Sequence, residues 1–401
     1  MAMLCSENQC TGCAACVSIC PSGAITLHEN HEGFLVPEIN AEKCTNCDMC
    51  LDTCPLVTDV HKLRFDAPTV YAAWSKDKPI RTDSSSGGIF TVFADYILNQ
   101  SGVVFGAAFD SDFKLRHHAV KNLADLHKLR GAKYLQSFIG DAYAKVANYL
   151  DGGLPVMFSG TPCQVAGLYG YLQKDYDNLL TCDLVCHGVP SQRFFDEYLQ
   201  FLGQEGYNKF DDIRFRDKKT WKRATILTVH STPEKEYLLN GRHDYYQQAF
   251  LKGLVSRRSC YSCKYAHIPR IGDVTLGDFW GIGEDIPFHH DITQGVSVLL
   301  VNSSRGETAL QACKKDLFLE ERQLSEAKKK NHRLYETSVY PPDRDTFLMD
   351  MPLMSIEALC SKYELSAKIN MFQKLARTIL QAIGPNGVAF LKRYFKKTKH
   401  D

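Results

Sequence analysis

Long apolar runs are missing from this 401-residue chain: none approaches the length needed to cross a membrane. The first residues, Met1 to Gln9, lack the apolar core of an export signal. Together these absences predict a cytoplasmic protein in a reducing environment. An excess of charge of one sign is missing too. Lys+Arg 47 against Asp+Glu 46 leaves a net charge of +1, which argues against the bulk basic field of a nucleic-acid binder. A hydrophobic content of 44% and a charged content of 23% are ordinary for a globular protein, and the length allows two or three domains with a sizeable core.

Cysteine, by contrast, is abundant, with 16 in the chain. Cys10-x-x-Cys13-x-x-Cys16-x-x-x-Cys20-Pro21 is repeated as Cys44-x-x-Cys47-x-x-Cys50-x-x-x-Cys54-Pro55, offset by 34 residues. This is the spacing of a bacterial two-cluster ferredoxin, in which the fourth cysteine of each run crosses to the other 4Fe–4S cluster. It predicts Cys10, Cys13, Cys16 and Cys54 around one cluster, and Cys44, Cys47, Cys50 and Cys20 around the second. A zinc site has no use for the crossed ligand, and a disulfide framework does not suit a reducing compartment. Between the runs, Ala24 to Pro37 reads as a short hairpin. Cys5 lies outside the repeat and reads as a plain thiol.

Beyond a polar linker, His61 to Pro68, the texture changes to strand, glycine turn and helix. Strands are expected at Tyr71–Trp74, Val103–Phe109, Leu154–Phe158, Asn178–Cys186, Asp273–Gly281 and Val296–Val301. Helices are expected over Ile89–Leu98, Gly140–Leu150, up to Leu172, Gln192–Leu202 and Tyr245–Leu254, with short β segments over Ile213–Leu239. The region after Arg305 reads as helical and charged. Its last residues, Leu391 to Lys399, form a basic tail, read as a solvated helix end, with a membrane-peripheral surface on anionic lipid as the alternative.

Two glycine turns, Ser84-Ser-Ser-Gly-Gly88 and Ser159-Gly-Thr-Pro162, each precede a helix and offer free backbone N–H groups to an anion. Neither is a dinucleotide-fold or Walker pattern. With Arg130 and Lys133 nearby in sequence, a phosphate-bearing cofactor is the functional reading; a surface lysine and an ordinary α/β turn are the bland one. A second cysteine set comprises Cys163, Cys182, Cys186, Cys260, Cys263, Cys313 and Cys360. Strand-end cysteines and the Cys260-x-x-Cys263 turn are compatible with a third cluster, with zinc, or with unligated thiols. Cys313 and Cys360 fall in helical patterns and read as plain thiols.

Six stretches carry a resemblance to a known family: Asp83–Phe90, Leu129–Ser137, Phe158–Gln164, Val185–Pro190, Ser259–Cys263 and Val274–Gly281. In that order they resemble the coenzyme F420 hydrogenase/dehydrogenase beta-subunit family, in its bacterial form with a fused ferredoxin domain. The family also includes plant 7-hydroxymethyl chlorophyll a reductase, and some bacterial members are encoded among cell-surface polysaccharide genes. The resemblance implies an α+β or α/β chain: a two-cluster ferredoxin module over 1–62, then a mixed α/β domain over 68–310 holding FAD and its own 4Fe–4S cluster. A helical extension would follow over 311–401. It also implies that Cys163, Cys186, Cys260 and Cys263 hold the third cluster, with Cys182 as the competitor of Cys186. Ser85, Ser86, Gly87, Gly88, Lys133, Tyr134, Gln136, Ser137, Gly160, Thr161 and Gln164 would contact FAD.

The expectation is an iron–sulfur flavoprotein oxidoreductase coupling hydride chemistry at FAD to one-electron transfer through clusters. The substrate would be F420 or a small molecule of cell-surface polysaccharide metabolism. An external ferredoxin-like carrier or a partner redox enzyme would exchange single electrons. The rival expectation is a non-catalytic subunit relaying electrons to a partner enzyme. His187 is the one candidate for proton transfer, set against a structural role beside Gly188. Arg257 and Arg258, beside Cys260, read either as cations that stabilise a reduced cluster or as a solvated pair.

Overall fold

The computed structural model describes residues 4–60, 63–204, 210, 212–218, 226–231, 235–240 and 244–365, with backbone alone for 226–231 and 235–240. The basic tail lies outside the described residues.

The two cysteine runs fold the same way because both bend at the same places. Gly12 and Ala14 in the first run, and Asn46 and Asp48 in the second, take positive φ of 68°, 59°, 55° and 55°. Each bend delivers a short helix, α1 (Ala15–Ile19) and α2 (Met49–Thr53). Between them β1 (Ile25–Glu29) and β2 (Leu35–Ile39) pair antiparallel, Ile25 opposite Ile39. The Asn30 side chain closes this hairpin by accepting from the backbone N–H groups of Glu32 and Phe34.

The rest of the chain is built on one eight-stranded sheet. Its strands are β3 (Thr69–Ser75), β4 (Val103–Phe109), β5 (Leu115–Val120), β6 (Val156–Gly160), β7 (Leu179–Leu184), β11 (Val274–Asp278), β12 (Ser297–Val301) and β13 (Leu317–Arg322). The order is β13-β3-β12-β11-β7-β6-β4-β5, with the central run β11-β7-β6-β4 parallel and every other pair antiparallel. A separate antiparallel sheet joins β8 (Asp212–Arg214), β9 (Ile226–Ser231) and β10 (Lys235–Asn240). The central strands are continuous apolar runs, as strands covered on both faces must be; every residue of β6 and β12 is buried.

Helices cover both faces. After α3 (Lys78–Asp83), α4 (Ile89–Leu98) lays Ile89, Val92, Phe93 and Ile97 on one face of the sheet. On the other face, α5 (Ala142–Asp151) and α6 (Pro162–Leu172) pack on Phe105 and Phe158. That same apolar cluster includes Cys13, Ala14 and Ala15, so the cysteine-rich module docks on the α5–α6 layer. α7 (Gln192–Gln204) and α8 (Tyr245–Leu251) bring Phe194, Phe195, Tyr198 and Tyr246 into an aromatic core shared with Phe215 and Phe347. The chain then forms α9 (Ser304–Cys313), α10 (Leu324–Lys330), α11 (Arg344–Asp350) and α12 (Ile356–Tyr363).

Two strands depart from the sequence reading, and both are sheet edges. β5 reads Leu-Arg-His-His-Ala-Val, and β13, in the stretch expected to be helical after Arg305, reads Leu-Phe-Leu-Glu-Glu-Arg. Edge strands need only one apolar face and carry charge against mispairing, which hides them from a search for apolar runs. The strand expected to reach Cys186 stops at Leu184.

Candidate functional site

The N-terminal thiols fall into two groups. Cys10, Cys13, Cys16 and Cys54 line one small cavity, and Cys20, Cys44, Cys47 and Cys50 line a second. Each cavity takes three thiols from one run and the fourth from the other, because the prolines after Cys20 and Cys54 turn the chain away at that point. Cys5 also lines the first cavity, beside Cys10 and Cys54; no spacing rule pointed to it. The first group is inward, with Cys10, Cys13 and Cys54 buried, whereas Cys47 of the second group is exposed.

A third group forms where three loops meet. Cys163 occupies the first turn of α6, Cys186 follows β7, Cys260 lies within the short turn Arg258–Ser262, and Cys263 caps that turn. Burial raises the thiols of Cys186 and Cys260 to about 12, helped by Cys260 in the first case and by Cys163 and Cys263 in the second. Cys163 and Cys263 shift upward chiefly by burial as well, and Cys163 senses both Cys263 and Cys186. Such thiols surrender their protons to a cation far more readily than to water. Among the described residues no three His, Cys, Asp or Glu side chains close on a point as a single ion requires. A four-iron cube carries its thiolates further apart than one zinc ion does. Cys182, the competitor, is fully buried in the sheet beside Ser159 and Asp183, away from the other thiols. Cys313 is buried and Cys360 half-buried; neither neighbours the set.

The third group abuts the first. Along α6, Gly167 lies so close to Cys13 that an added Cβ would sit 2.9 Å from its Cβ, and Gly170 lies against the Thr53 carbonyl. Tyr265 stands among Cys163, Cys13, Cys263 and Cys54, and its phenol is raised by burial and by those thiols. Arg258, half-exposed, pairs with Glu32 and Asp345, whereas Arg257 is buried and donates to the Cys10 carbonyl.

Outside the carboxyl ends of β6, β7 and β11 opens a cleft of about 1960 Å3, its mouth included, the place where open α/β sheets bind ligands. Ser85, Ser86, Gly88, Lys133, Tyr134, Ser137, Gly160, Thr161 and Gln164 line it. Gly87 lies behind the wall, its N–H donated to Ser297 Oγ and its Cα against the Ala73 carbonyl. Gln136 points away, donating to the Thr11 carbonyl. Residues missed in sequence complete the lining: His117, Gln247, Arg216, Asp278, Trp280 and Asn331. His117 lies on the edge strand β5, Asp278 ends β11, Gln247 is on α8 and Asn331 caps α10, a convergence invisible without the fold.

Four buried polar atoms on this wall have no hydrogen-bond partner among the described residues: Ser86 Oγ, Thr91 Oγ1, Arg130 Nε and Gln247 Oε1. Buried polar groups are normally satisfied, so the cleft is shaped for a polar ligand. A hydrogen-bonded chain ties it to the third thiol group. His117 meets Ser137 Oγ, Gln164 donates to Ser137, Thr161 Oγ1 donates to Gln164 Oε1, and Thr161 Oγ1 lies 3.2 Å from Cys163 Sγ. Lys133 folds back on its own loop, donating to the carbonyls of Lys128, Arg130 and Gly131, and burial lowers its ammonium to about 7. His187 is exposed and lines the cleft. Enclosure by protein, then Arg333, Arg216 and His332, lowers it to about 4, so its imidazole is neutral at pH 7.

Comparison with known proteins gives three family matches. The family described as "4Fe-4S dicluster domain" matches residues 9–57. The N-terminal part of "Coenzyme F420 hydrogenase/dehydrogenase, beta subunit" matches 70–141, and the C-terminal part of the same description matches 154–327. Among solved structures, the xenon-derivatised F420-reducing [NiFe] hydrogenase complex from Methanosarcina barkeri is similar at 19% identity and a TM-score of 0.45, over 66% of this chain and 89% of that one. No curated protein matches the chain. The beta-subunit matches together span more than half of the sequence, and the chain therefore belongs to the coenzyme F420 hydrogenase/dehydrogenase beta-subunit family, with a two-cluster 4Fe–4S domain at its N-terminal end.

Proposed function

We propose that this chain is an iron–sulfur flavoprotein oxidoreductase that holds FAD in the cleft and three 4Fe–4S clusters in its thiol groups. The carrying observation is that the groups lie in a row from the cleft to solvent. Cys186 lines the cleft, Cys163 neighbours Cys13, and Cys47 of the outermost group is exposed. When bound, FAD exchanges electrons in pairs or singly, and each cluster carries one.

The protein's part is to hold, orient and insulate. The proposed ligands are Cys163, Cys186, Cys260 and Cys263 for the third cluster. Cys10, Cys13, Cys16 and Cys54 would serve the inner ferredoxin cluster, and Cys20, Cys44, Cys47 and Cys50 the outer one. Ser86 Oγ and Arg130 Nε, buried in the same cleft wall as the Gly160–Thr161 turn without a hydrogen-bond partner among the described residues, suit the phosphates of FAD. Lys133 braces the Arg130–Tyr134 loop through its three carbonyl contacts. His187, as a neutral base facing the cleft, would pass protons to or from an organic substrate. That substrate is F420 or a small molecule of cell-surface polysaccharide metabolism; single electrons are exchanged at the exposed end with a soluble carrier or partner enzyme.

Anaerobic purification with iron, sulfide and flavin analysis tests the cofactors together. About 12 Fe and one FAD per chain are expected, whereas about 8 Fe would remove the third cluster. Absence of flavin would sink the hydride chemistry. Turnover with an artificial one-electron donor separates an enzyme from a relay, which would stay inert until its partner is added.

A further inference from the structure

Three arginines of the described residues are buried to within a few per cent: Arg257 at 3%, Arg270 at 2% and Arg344 at 0% exposure. Two of them face carboxylates, Arg270 toward Asp183 and Arg344 toward Glu32. Arg257 faces only neutral oxygens: its Nε donates to the Cys10 carbonyl at 2.6 Å, Nη1 to Gln136 Oε1 at 3.0 Å and Nη2 to the Leu35 carbonyl at 3.0 Å. A buried cation without an anion is costly, yet this site is built for one. Its guanidinium carbon stands 5.3 Å from the Phe34 ring centroid. A Cβ on Gly12 would lie 2.6 Å from Nη1, so a glycine between Cys10 and Cys13 is what admits the group. Ser259 Oγ donates to the same Cys10 carbonyl and ties the Cys260 turn to the Cys10 loop. The missing anion is therefore supplied by what the thiols hold on either side: Arg257 interacts electrostatically with both Cys10 and Cys260.

We propose that Arg257 is a positioning residue that acts as the shared counter-cation of the two inner clusters, the third cluster and that of Cys10, Cys13, Cys16 and Cys54. Each of those clusters gains one negative charge when one electron reaches it along the row from the outer cluster, which the external carrier has reduced. A fixed positive charge between them offsets that gain and raises both potentials relative to the outer one. Electrons are thereby drawn from the exposed end toward the cleft. The inference rests on the proposed cluster content.

The test is a redox titration of the anaerobically purified full chain followed by electron paramagnetic resonance, with iron measured on every sample. Arg257→Met should lower the reduction equilibrium constant of both inner clusters about tenfold, which is about 59 mV for a one-electron couple, and leave the outer cluster unmoved. Arg257→Lys should retain most of the wild-type potentials. Gln136→Glu keeps the arginine but sets a carboxylate against it, and should move both inner clusters in the direction of Arg257→Met. Unmoved inner potentials with iron retained, a shift shared by all three clusters, or an Arg257→Lys shift equal to that of Arg257→Met would overturn the proposal. If Arg257→Met loses iron, Gln136→Glu decides; loss of inner iron from both reduces Arg257 to a structural tie and overturns it too. Wild-type iron near 8 rather than about 12 per chain marks failure of the cluster reading itself.

Discussion

Cys182 and Cys186 stand four residues apart, and only Cys186 neighbours other thiols. The strand explains the difference: Cys182 is held in register opposite Ser159 and Val274, inside the sheet, while Cys186 lies past its end. Cys186→Ser and Cys163→Ser should each cut iron from about 12 to about 8 per chain by quantitative iron analysis. Cys182→Ser should keep the iron and cost about 1–3 kcal/mol in chemical denaturation, the usual range for a core polar replacement. His117 offers a residue-scale test of acid behaviour. Burial lowers its imidazole from 6.5 to about 4, so between those pH values the unfolded chain binds a proton that the folded one refuses. Stability contributed by neutral His117 is complete above pH 6.5 and falls as pH drops toward 4. In His117→Gln, the loss of stability over that window should be smaller than in the wild type when denaturation is compared at each pH.

Among the elements, α6 does two things at once: its first turn presents Cys163, and its Gly167 and Gly170 let it settle on the cysteine-rich module. Any side chain at 167 meets Cys13 Sγ at 3.1 Å and the Tyr143 hydroxyl at 2.7 Å. Gly167→Leu should therefore destabilise the protein by about 1–3 kcal/mol and weaken the magnetic coupling between the two proposed inner clusters, seen as narrower resonance lines. Much of this was legible beforehand. The doubled cysteine spacing, the helix over Ile89–Leu98 and the strand over Val103–Phe109 follow from local pattern, since spacing and apolar runs are what those elements consist of. The edge strands β5 and β13 escaped because exposure on one side dilutes their apolar content. Gln136 and Gly87, expected at the flavin, face other ways because loop direction is set by tertiary contacts: Gln136 by Thr11 and Arg257, Gly87 by Ser297. Gln247 and Trp280 reach the cleft from segments far along the chain from the first glycine turn, a convergence that a linear reading does not contain.

At the scale of the whole molecule, the two ends of the described chain are clasped together. Glu32, at the turn of the β1–β2 hairpin and 5% exposed, receives two hydrogen bonds from fully buried Arg344 on α11, at 2.8 and 2.6 Å. Although burial opposes it, hydrogen bonding from Arg344 and the charges of Arg344 and Arg258 hold the Glu32 carboxyl below its usual 4.5. Breaking such a pair strands a buried charge, so Glu32→Gln should cost about 3–5 kcal/mol in denaturation of the cofactor-loaded protein. The pair's contribution is complete above pH 4.5 and is lost as pH falls through the lowered value, so the variant's deficit should shrink in acid.

The gradient of exposure along the row of thiols also sets the order of damage. Cys47 meets solvent, while Cys10, Cys13 and Cys54 are sealed beneath the hairpin and α6, and oxidants attack where they have access. In air, the first iron lost should be that of the outermost group, about 4 of about 12 per chain. Such a protein fails like a blown fuse: supply to the cleft is cut while the inner centres stay intact. With the proposed flavin in the cleft, losing the feed would stop it passing electrons to oxygen, so the most expendable cluster would be the one placed nearest the hazard.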